Sequence, residues 1–480
     1  MRKNTLLFYF ALFSTLTITS CSSTSNLLNH SLFSSKSSDE AHHTVSYQPE
    51  NPEFWQGGTQ TIWGRLQDVP LSKLEASQSM PDATEAAWIK LAIISKKDST
   101  NTPQLVHDLN DWRKLNPSHP GNQLFPNEAT LSTLANAAPP KNITLMLPLQ
   151  GPFTASGSAV RDGFLSAYYE ELAKTSYQQT ISFTDTSKNP NMSALYQESV
   201  NKGANIIVGP LLKDNVKQLT STGNFTIPTL ALNYTEIWLG SLPNNLYQFG
   251  LSPLDEAKQV ADRASEGGHS HALIIAPQND WGQRVVKTLS DRWTANGGKI
   301  TETYFFNPKS DLSKDIPRLL HVDTKVDTAK SRDKLANNKA NLEKQRRQDF
   351  DVVFLLAPPQ SAREIMPLLR FYYVDNVPIY ATSVVYSGKP DPAKDSDLNG
   401  INFADIPWII NGNQAPAVDS DNINRLYAVG RDAYLISHEL QRFAILPNFP
   451  IYGATGALTL NAQHQFNRRL PMAQMHDGHL

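Results

Sequence analysis

Short apolar runs alternate with amphipathic segments along the chain from residue 142 onwards. The first run, Ile143–Leu149, ends at a Gly-Pro pair, and a helix-like segment begins near Ser158. Strand-like runs separated by helices predict parallel sheets that are covered by helices on both faces. The runs with strand character are 143–149, 180–185, 205–209, 226–232, 271–276, 300–306, 351–357 and 377–381.

The same alternation restarts near residue 253. We therefore expect an α/β protein with two doubly wound lobes within residues 142–480. The first lobe is expected to contain about 142–252 and part of 383–480. The second lobe is expected to contain about 253–382 and the rest.

Residues 53–126 have a different pattern, in which tryptophan and leucine recur at helical spacing. Trp88 begins one run with three-residue steps, and a second run extends from Leu105 to Leu115. Prolines lie near both ends of the second run, as is common at helix ends. This pattern predicts a short helical domain of the tetratricopeptide kind, in which stacked helices bury their apolar faces. Residues 127–141, which contain Ala-Ala-Pro-Pro, are predicted to be a linker.

The amino terminus has the features of an export signal. Two basic residues precede an apolar run from Leu6 to Leu16, which is shorter than the roughly 20 residues that a membrane helix needs. We interpret residues 1–21 as a signal peptide whose end resembles a bacterial lipobox, with lipid attached to Cys21. An ordinary signal peptide with an incidental cysteine is the alternative. Residues 22–52, rich in Ser, Thr and Asn, are predicted to be a flexible tether.

The residue after the predicted lipidation site indicates the membrane to which the lipoprotein is exported. Ser22, and not an aspartate, follows Cys21. By analogy with Gram-negative lipoproteins, this implies export to the outer membrane. Several acyl chains on one residue give stable anchoring. We therefore expect a lipid-anchored outer-membrane protein that faces the periplasm.

Composition excludes several functional classes. The chain has 480 residues, with 43 Lys and Arg, 45 Asp and Glu, and a formal net charge of −2. A general nucleic-acid binder would need a basic excess. The single cysteine excludes an internal disulfide framework, a cysteine-ligated zinc site and a CxxC redox pair.

The sequence lacks the local motifs of common catalytic and nucleotide-binding sites. It contains no HExxH, GxSxG, GxxxxGK[ST], GxGxxG or EF-hand pattern, and no SxxK follows Ser156. We therefore expect no enzymatic activity, no cofactor and no metal. The basic segment 323–348 carries no sustained apolar stripe. One interpretation of this segment is a solvent-exposed helical insertion. The other is a contact surface for a partner or for cell-wall glycan.

The residues after the predicted strands suggest a binding cleft between the lobes. Ligands of open parallel sheets lie beyond the carboxyl ends of the strands. Glycines there allow close backbone approach, and helix starts expose N–H groups suited to a carboxylate. A cleft without a ligand, lined by ordinary turn residues, is the alternative. The candidate cleft residues are Gln150, Gly151, Pro152, Phe153, Ser156, Gly157, Gly209, Pro210, Asn233, Gln278, Asn279 and Trp281.

Several segments resemble, in the same order, the LpoA (LppC) family of lipoproteins. The first is Leu145–Leu165, with the sequence LMLPLQGPFTASGSAVRDGFL. The others are 347–355, 425–434, 453–460 and 468–478. The corresponding domain of the family has a type I periplasmic-binding-protein fold and follows an array of tetratricopeptide-like helices. The resemblance therefore implies the same two-lobed fold here, after a much shorter helical region.

Members of this family are outer-membrane lipoproteins that activate a class A penicillin-binding protein. The resemblance implies a non-enzymatic regulator that docks on this peptidoglycan synthase and stimulates its glycosyltransferase and transpeptidase activities. Its partners would be the synthase, the outer membrane through the lipid anchor, and peptidoglycan. The main alternative is a periplasmic receptor that binds an amino acid or a small peptide in the cleft. A hydrolase of the cell wall is a third alternative.

Overall fold

The computed structural model describes residues 49–221, 223–235, 243–307, 309–322, 346–372, 374, 376–416 and 421–480. The predictions for the signal peptide, for Cys21, for residues 22–48 of the tether and for residues 323–345 of the basic segment lie outside the described residues. No helix in the described ranges is long and apolar enough to cross a membrane.

Helices occur in all parts of the described chain, and one-turn 3₁₀ helices lie between several of them. The α-helices are α1 (Thr59–Asp68), α2 (Leu71–Ala76), α3 (Ala83–Lys97), α4 (Thr102–Leu115), α5 (Glu128–Ala135), α6 (Thr154–Thr175), α7 (Met192–Asn201), α8 (Lys213–Thr220), α9 (Pro253–Glu266), α10 (Asp280–Ala295), α11 (Leu312–Leu319), α12 (Pro359–Phe371), α13 (Pro392–Asp395), α14 (Pro407–Ile410) and α15 (Asp421–Ile445). The 3₁₀ helices are Pro52–Trp55, Pro120–Leu124, Gly151–Phe153, Ser383–Val385 and Ser396–Leu398.

Within the described ranges, the strands follow the helical region. They are β1 (Asn142–Leu147), β2 (Thr180–Asp185), β3 (Ile206–Val208), β4 (Thr229–Ala231), β5 (Leu246–Gln248), β6 (His271–Pro277), β7 (Lys299–Phe306), β8 (Val352–Leu355), β9 (Ile379–Ala381), β10 (Ile401–Ala404), β11 (Ile451–Gly453), β12 (Gly456–Leu460), β13 (Phe466–Arg469) and β14 (Met472–Gln474). Each of the eight predicted strand runs overlaps one of these strands, so the predicted α/β alternation is confirmed.

The first sheet is parallel, with the strand order β2-β1-β3-β4-β5. Alternate residues of β1 point to opposite faces, as a strand requires. Ile143, Leu145 and Leu147 pack against α6 and α15. Met146 packs on the other face, against α7 and α8. Both faces are therefore covered, which explains why the strand is apolar along its whole length.

The second sheet repeats this arrangement. Its order is β14-β10-β9-β8-β6-β7, and all neighbours are parallel except β10 and β14. The five parallel strands thus have the same 2-1-3-4-5 order as those of the first sheet. The restart near residue 253 coincides with α9, where the Ser252 side chain accepts a hydrogen bond from the Asp255 N–H at 3.2 Å. This is the structural origin of the repeated pattern.

The carboxyl-terminal segment contributes to both lobes, because β14 pairs with β10 of the second sheet whereas β11, β12 and β13 form a third, antiparallel sheet. The antiparallel strands β11, β12 and β13 pack, through Ile451, Leu458 and Phe466, into the same core as α6 and α15. We call the first sheet with α6–α8, α15 and β11–β13 the first lobe. The second sheet with α9–α14 is the second lobe.

The helical region has an apolar core of its own, to which the first lobe contributes. Trp112 is fully buried, and its indole N–H donates to the Ala87 carbonyl at 2.9 Å. Leu446 and Phe449, which follow α15, are part of the same core. The helical region is therefore packed onto the first lobe by shared burial and not only by a chain connection.

One helix occurs where a linker was predicted. Residues Glu128–Ala135 form α5, and the Asn127 side chain accepts a hydrogen bond from the Thr130 N–H at 3.0 Å. Leu131 and Leu134 are buried in the core of the helical region. The interpretation of 127–141 as a linker was therefore wrong for this part, because these leucines complete the core.

Candidate functional site

Half of the candidate cleft residues lie in the turn after β1 or in the first turns of α6. The Gln150 N–H donates to the Ser187 hydroxyl at 3.2 Å, and this hydroxyl donates to the Gln150 carbonyl at 2.8 Å. A Cβ at Gly157 would lie 2.1 Å from the Pro148 carbonyl oxygen, so only glycine fits there. Gln150 and Gly157 thus shape the turn, whereas Phe153 is 49% exposed. The set is Gln150, Gly151, Pro152, Phe153, Ser156 and Gly157.

Three further candidates follow β3 and β4. Gly209 and Pro210 are buried, and Gly209 has a φ of 116°. A Cβ at Gly209 would lie 2.1 Å from the Met146 carbonyl oxygen, so the glycine permits close packing of β1 and β3. The Asn233 amide donates to the Leu211 carbonyl at 3.1 Å. Asn233 therefore connects the turns that follow the two strands.

The second-lobe candidates follow β6. The Gln278 side-chain oxygen accepts a hydrogen bond from the Asn307 amide at 3.0 Å. The Asn279 side chain caps α10 by accepting from the Gly282 N–H at 2.8 Å. Trp281 is half-buried and packs against the core of the second lobe. The cap explains the Asn-Asp-Trp-Gly sequence without any ligand.

All twelve candidates lie at or just beyond the carboxyl ends of β1, β3, β4 and β6, where the sequence analysis placed them. In the part of the chain that the structure describes, the side-chain hydrogen bonds of each set stay within its own lobe. Their contacts define the edge of each sheet. A ligand role for these residues stays a prediction.

A buried ion pair joins the lobes where α15 begins. Arg425 Nε lies 3.1 Å from Asp405 Oδ1, and Arg425 Nη2 lies 2.5 Å from Asp405 Oδ2. Arg425 Nη2 also donates to the Tyr386 carbonyl at 3.1 Å. Burial raises the pKa of Asp405, and the guanidinium charge of Arg425 opposes this effect. Such a two-point contact fixes orientation as well as distance.

A second contact connects α9 with β13. Glu256 is buried, and its Oε2 accepts a hydrogen bond from the Ser383 hydroxyl at 2.7 Å. Its Oε1 lies 3.8 Å from Nη2 of Arg468, which is also buried. Burial raises the pKa of Glu256, whereas the Arg468 charge lowers it. This carboxylate therefore links the second lobe to the strand β13 of the first lobe.

A third buried carboxylate lies in the middle of α15. Asp432 Oδ1 accepts from the Ala454 N–H at 2.7 Å, and Oδ2 accepts from the Thr455 N–H at 2.7 Å and its hydroxyl at 2.5 Å. Burial raises the pKa of Asp432 to about 6. The residue holds the turn between β11 and β12 against α15.

We call Glu256, Asp405, Arg425 and Arg468 the inter-lobe network. Removing one partner of a buried charge pair costs about 3–5 kcal/mol, because the other charge is then uncompensated. Separating the lobes would break Asp405 from Arg425 and Glu256 from Arg468. The network therefore opposes movement of one lobe against the other.

The helical region contacts both lobes through one carboxylate. Asp68 at the end of α1 accepts a hydrogen bond from Arg263 Nη2 at 2.8 Å, and it also pairs with Arg469. Arg263 lies on α9 of the second lobe and Arg469 on β13 of the first. Nearby, Lys96 Nζ donates to the Tyr452 hydroxyl at 2.9 Å. Burial lowers the pKa of Lys96 to about 8. Asp68 therefore fixes the helical region across the junction of the lobes.

Sequence reasoning did not find these charged contacts. Asp405 and Arg425 are 20 residues apart, and the partners of Glu256 lie 127 and more than 200 residues away. No local pattern connects such positions, so only the folded chain brings them together. Among the described residues, no group of three or more His, Cys, Asp or Glu could hold a metal ion.

Comparisons with known proteins identify the family. A family model described as "LppC putative lipoprotein" matches residues 49–478. The curated protein "Penicillin-binding protein activator LpoA" of Vibrio vulnificus is 30% identical over 434 residues, which cover 86% of this chain and 70% of the relative.

Three solved structures extend this finding to the fold. LpoA of Haemophilus influenzae matches with a TM-score of 0.58 at 24% identity, over 87% of this chain and 72% of that one. Its C-domain alone, described as "a regulator of PBP1A", matches at 25% identity with a TM-score of 0.56, over 70% of this chain and 98% of the domain. The structure of a putative branched-chain amino acid ABC transporter from Chromobacterium violaceum matches at 25% identity with a TM-score of 0.53. The match covers 70% of this chain and 99% of that one.

The expected fold is thereby confirmed, because the neighbours include both LpoA and periplasmic-binding-protein-like structures. The family model covers the helical region as well as both lobes. The chain belongs to the LppC family of envelope lipoproteins, whose curated members include the LpoA proteins.

Proposed function

We propose that this protein is an outer-membrane lipoprotein that docks on a class A penicillin-binding protein and stimulates peptidoglycan synthesis. The observation that carries the proposal is the match to a penicillin-binding protein activator over 86% of the chain. The matched H. influenzae C-domain is described as a regulator of PBP1A. The chain acts in this proposal as a regulatory protein and carries out no chemistry itself.

Stimulation by docking requires a difference in affinity. The regulator must bind the active state of the synthase better than the inactive state. A difference of about 1.4 kcal/mol corresponds to a tenfold shift of that equilibrium. A surface that spans both lobes can supply such a difference only if the lobes keep a fixed orientation, and the contacts of Arg425 with Asp405 and of Glu256 with Arg468 support this requirement.

The receptor alternative is less well supported. It rests on the fold likeness to the C. violaceum structure and on the position of the candidate cleft residues. A solute receptor that closes on its ligand needs mobile lobes. The buried charges between the lobes and the contact of Asp68 with Arg263 and Arg469 oppose such closure.

The decisive experiment adds the purified full-length mature protein to a bifunctional class A synthase and its lipid-linked precursor. We expect the rates of glycan polymerisation and peptide cross-linking to rise and to saturate with the concentration of the protein. Unchanged rates across the titration would contradict the proposal. Saturable uptake of amino acids without an effect on the synthase would favour the receptor, and release of peptidoglycan by the protein alone would favour the hydrolase.

The proposed anchor has its own test, based on two variants of the predicted lipidation site. Cys21→Ala should abolish incorporation of labelled palmitate and release the protein from the membrane fraction. Ser22→Asp should keep the label, since the cysteine is intact, but shift the protein from the outer to the inner membrane. Labelled Cys21→Ala protein would contradict lipidation at Cys21. Unchanged outer-membrane recovery of Ser22→Asp would contradict the role of residue 22.

A further inference from the structure

A cavity of about 720 Å³ lies where the helical region meets the first lobe. Its walls come from the start of α4, the segment after α5, the end of α6 and the last turns of α15. The volume falls within the range of about 300–1,000 Å³ that is usual for small-molecule sites. It is separate from the candidate cleft, because none of the twelve cleft residues lines it.

A second cavity of about 300 Å³ continues the first. The two cavities share five lining residues, which are Thr100, Glu171, Lys174, His438 and Glu439. At its far end the second cavity is bounded by Trp408 and by Arg431, whose guanidinium lies 5.2 Å from the centre of the Trp408 ring. Together the cavities form an elongated groove along α15. We call it the junction groove.

Two opposite charges that line the junction groove, on Lys174 and Glu171, form no ion pair among the described residues. Lys174 and Glu171 lie one turn apart on α6, and Lys174 is exposed. Neither side chain forms an ion pair within 4 Å among the residues that the structure describes. By contrast, Arg431 at the far end is neutralised by a two-point contact with Glu170, at 2.6 Å for each oxygen. The free charges are therefore concentrated where the two cavities meet.

A buried guanidinium reinforces the positive charge. Arg442 lines the larger cavity and is only 1% exposed. Its Nη1 donates to the Ser99 carbonyl at 2.5 Å, whereas its Nε and Nη2 have no hydrogen-bond partner among the described residues. Burial lowers the pKa of Arg442 to about 10, and the charge of Glu439 opposes this effect. These two donor atoms are closed off from solvent, so Arg442 acts on the groove through its charge and not through a direct contact.

The helix α15 is distorted at this point. Glu439 departs from helical geometry with φ −107° and ψ 18°. Its Oε2 accepts a hydrogen bond from the Thr102 hydroxyl at 2.6 Å, and its Oε1 lies 3.3 Å from His438 Nδ1. Departures from helical geometry inside a long helix are often found at functional sites. Here the distortion directs a carboxylate towards the start of α4.

We propose that the junction groove binds a short peptide with a free amino group and a free carboxylate. Lys174 would receive the carboxylate, with the buried Arg442 adding positive charge behind the wall, and Glu171 and Glu439 would receive the ammonium group. A simple anion would be repelled by the two glutamates, and a polycation by the two basic groups. The wall formed by residues 137–140, Ala-Ala-Pro-Pro, offers apolar surface without long side chains, which suits small residues such as alanine. This site goes beyond the proposed function and does not rest on it.

The experiment is calorimetric titration of the full-length mature protein with tri-alanine. We expect saturable binding, and at least about tenfold weaker binding of N-acetyl-tri-alanine and of tri-alanine amide, since each lacks one charge. Lys174→Gln and Glu171→Gln should each weaken binding roughly threefold or more. Lys217→Gln, which removes an exposed charge from α8 of the same lobe, is the matched control and should bind as the unmodified protein does.

Three outcomes would overturn the proposal. One is the absence of binding up to about 1 mM tri-alanine. Another is equal affinity for the capped peptides. The third is unchanged affinity of both Lys174→Gln and Glu171→Gln with loss of binding in Gln278→Ala, because the peptide would then occupy the cleft between the lobes. Arg442→Gln removes the buried charge behind the groove, and we expect roughly threefold weaker binding with a native circular dichroism spectrum.

Discussion

Gly163 on α6 and Gly430 on α15 lie where the two helices touch through their backbones. A Cβ at Gly163 would lie 2.0 Å from the Tyr427 carbonyl oxygen, and a Cβ at Gly430 would lie 2.1 Å from the Val160 carbonyl oxygen. Each glycine therefore faces backbone of the other helix, which cannot move aside as a side chain can. This contact sets the distance between α6 and α15. Both helices line the junction groove, so the contact also sets how far apart these two walls are.

Replacing one of these glycines should separate the helices. We expect Gly163→Ala to lower the free energy of unfolding by about 2 kcal/mol, because an added methyl group forces the backbones apart. Urea denaturation followed by circular dichroism measures the change. Gly64→Ala on α1 is the control, since a Cβ there meets nothing within 4 Å, and we expect it to gain about 0.5–1 kcal/mol. Equal effects of the two variants would refute the contact.

Removing the carboxylate of the inter-lobe ion pair should destabilise the protein strongly. Asp405→Asn leaves the buried guanidinium of Arg425 without its counter-charge, and we expect a loss of about 3–5 kcal/mol. Asp291→Asn, which breaks an exposed pair with Lys287, should change stability by less than about 1 kcal/mol. Thermal unfolding compares the two variants. A loss confined to Asp291→Asn, or no loss in either, would contradict the role of the buried pair.

The helical region and the first lobe should unfold together. Phe449 is 1% exposed, and its ring centre lies 5.1 Å from that of Trp63 in the helical region. We expect Phe449→Ala to cost about 3–5 kcal/mol. In the unmodified protein, tryptophan fluorescence and far-ultraviolet circular dichroism should give one coincident transition in urea, whereas Phe449→Ala should separate them.

A matched exposed variant controls for the loss of an aromatic ring. Phe371→Ala removes a side chain that is 65% exposed, and we expect a change within about 0.5 kcal/mol. Two separate transitions in the unmodified protein would show that the shared core does not couple the helical region to the lobe.

The stability should depend on pH through Asp432. Burial raises its pKa from 3.8 to about 6 in the folded state, so between these values the folded state binds more protons than the unfolded state. The contribution of Asp432 to the free energy of unfolding should therefore fall as the pH rises from 3.8 to about 6, and stay constant above. Urea denaturation of the unmodified protein and of Asp432→Asn across this range isolates the effect. The difference between them should favour the unmodified protein increasingly towards acid, and a flat difference would contradict the assignment.

The sequence predicted local structure well and long-range contacts poorly. The strands were found because each is an apolar run with a helix on either side, as at β1 and β6. The helix α5 was not predicted, because the sequence Ala-Ala-Pro-Pro that follows it is typical of a linker. Asn127 as the capping residue and the apolar Leu131 and Leu134 are the local signal of this helix. The strand β5 was not predicted, because its sequence Leu-Tyr-Gln is not an apolar run.

The candidate site shows the same division. The residues after β1, β3, β4 and β6 could be placed at sheet edges, because the carboxyl ends of parallel strands lie together. The inter-lobe network could not be predicted, since a single glutamate such as Glu256 has no signature until Ser383 and Arg468 surround it. The junction groove arises from the packing of α4, α6 and α15, which are far apart in the sequence.

The attachment of Asp68 to Arg263 and Arg469 has a mechanical consequence. A load applied at Pro52 would reach α1 and then pass into β13 and α9 simultaneously, instead of stretching a single connection. A pull on the start of the helical region would thus be shared between the two lobes and would press them together as much as it draws on either.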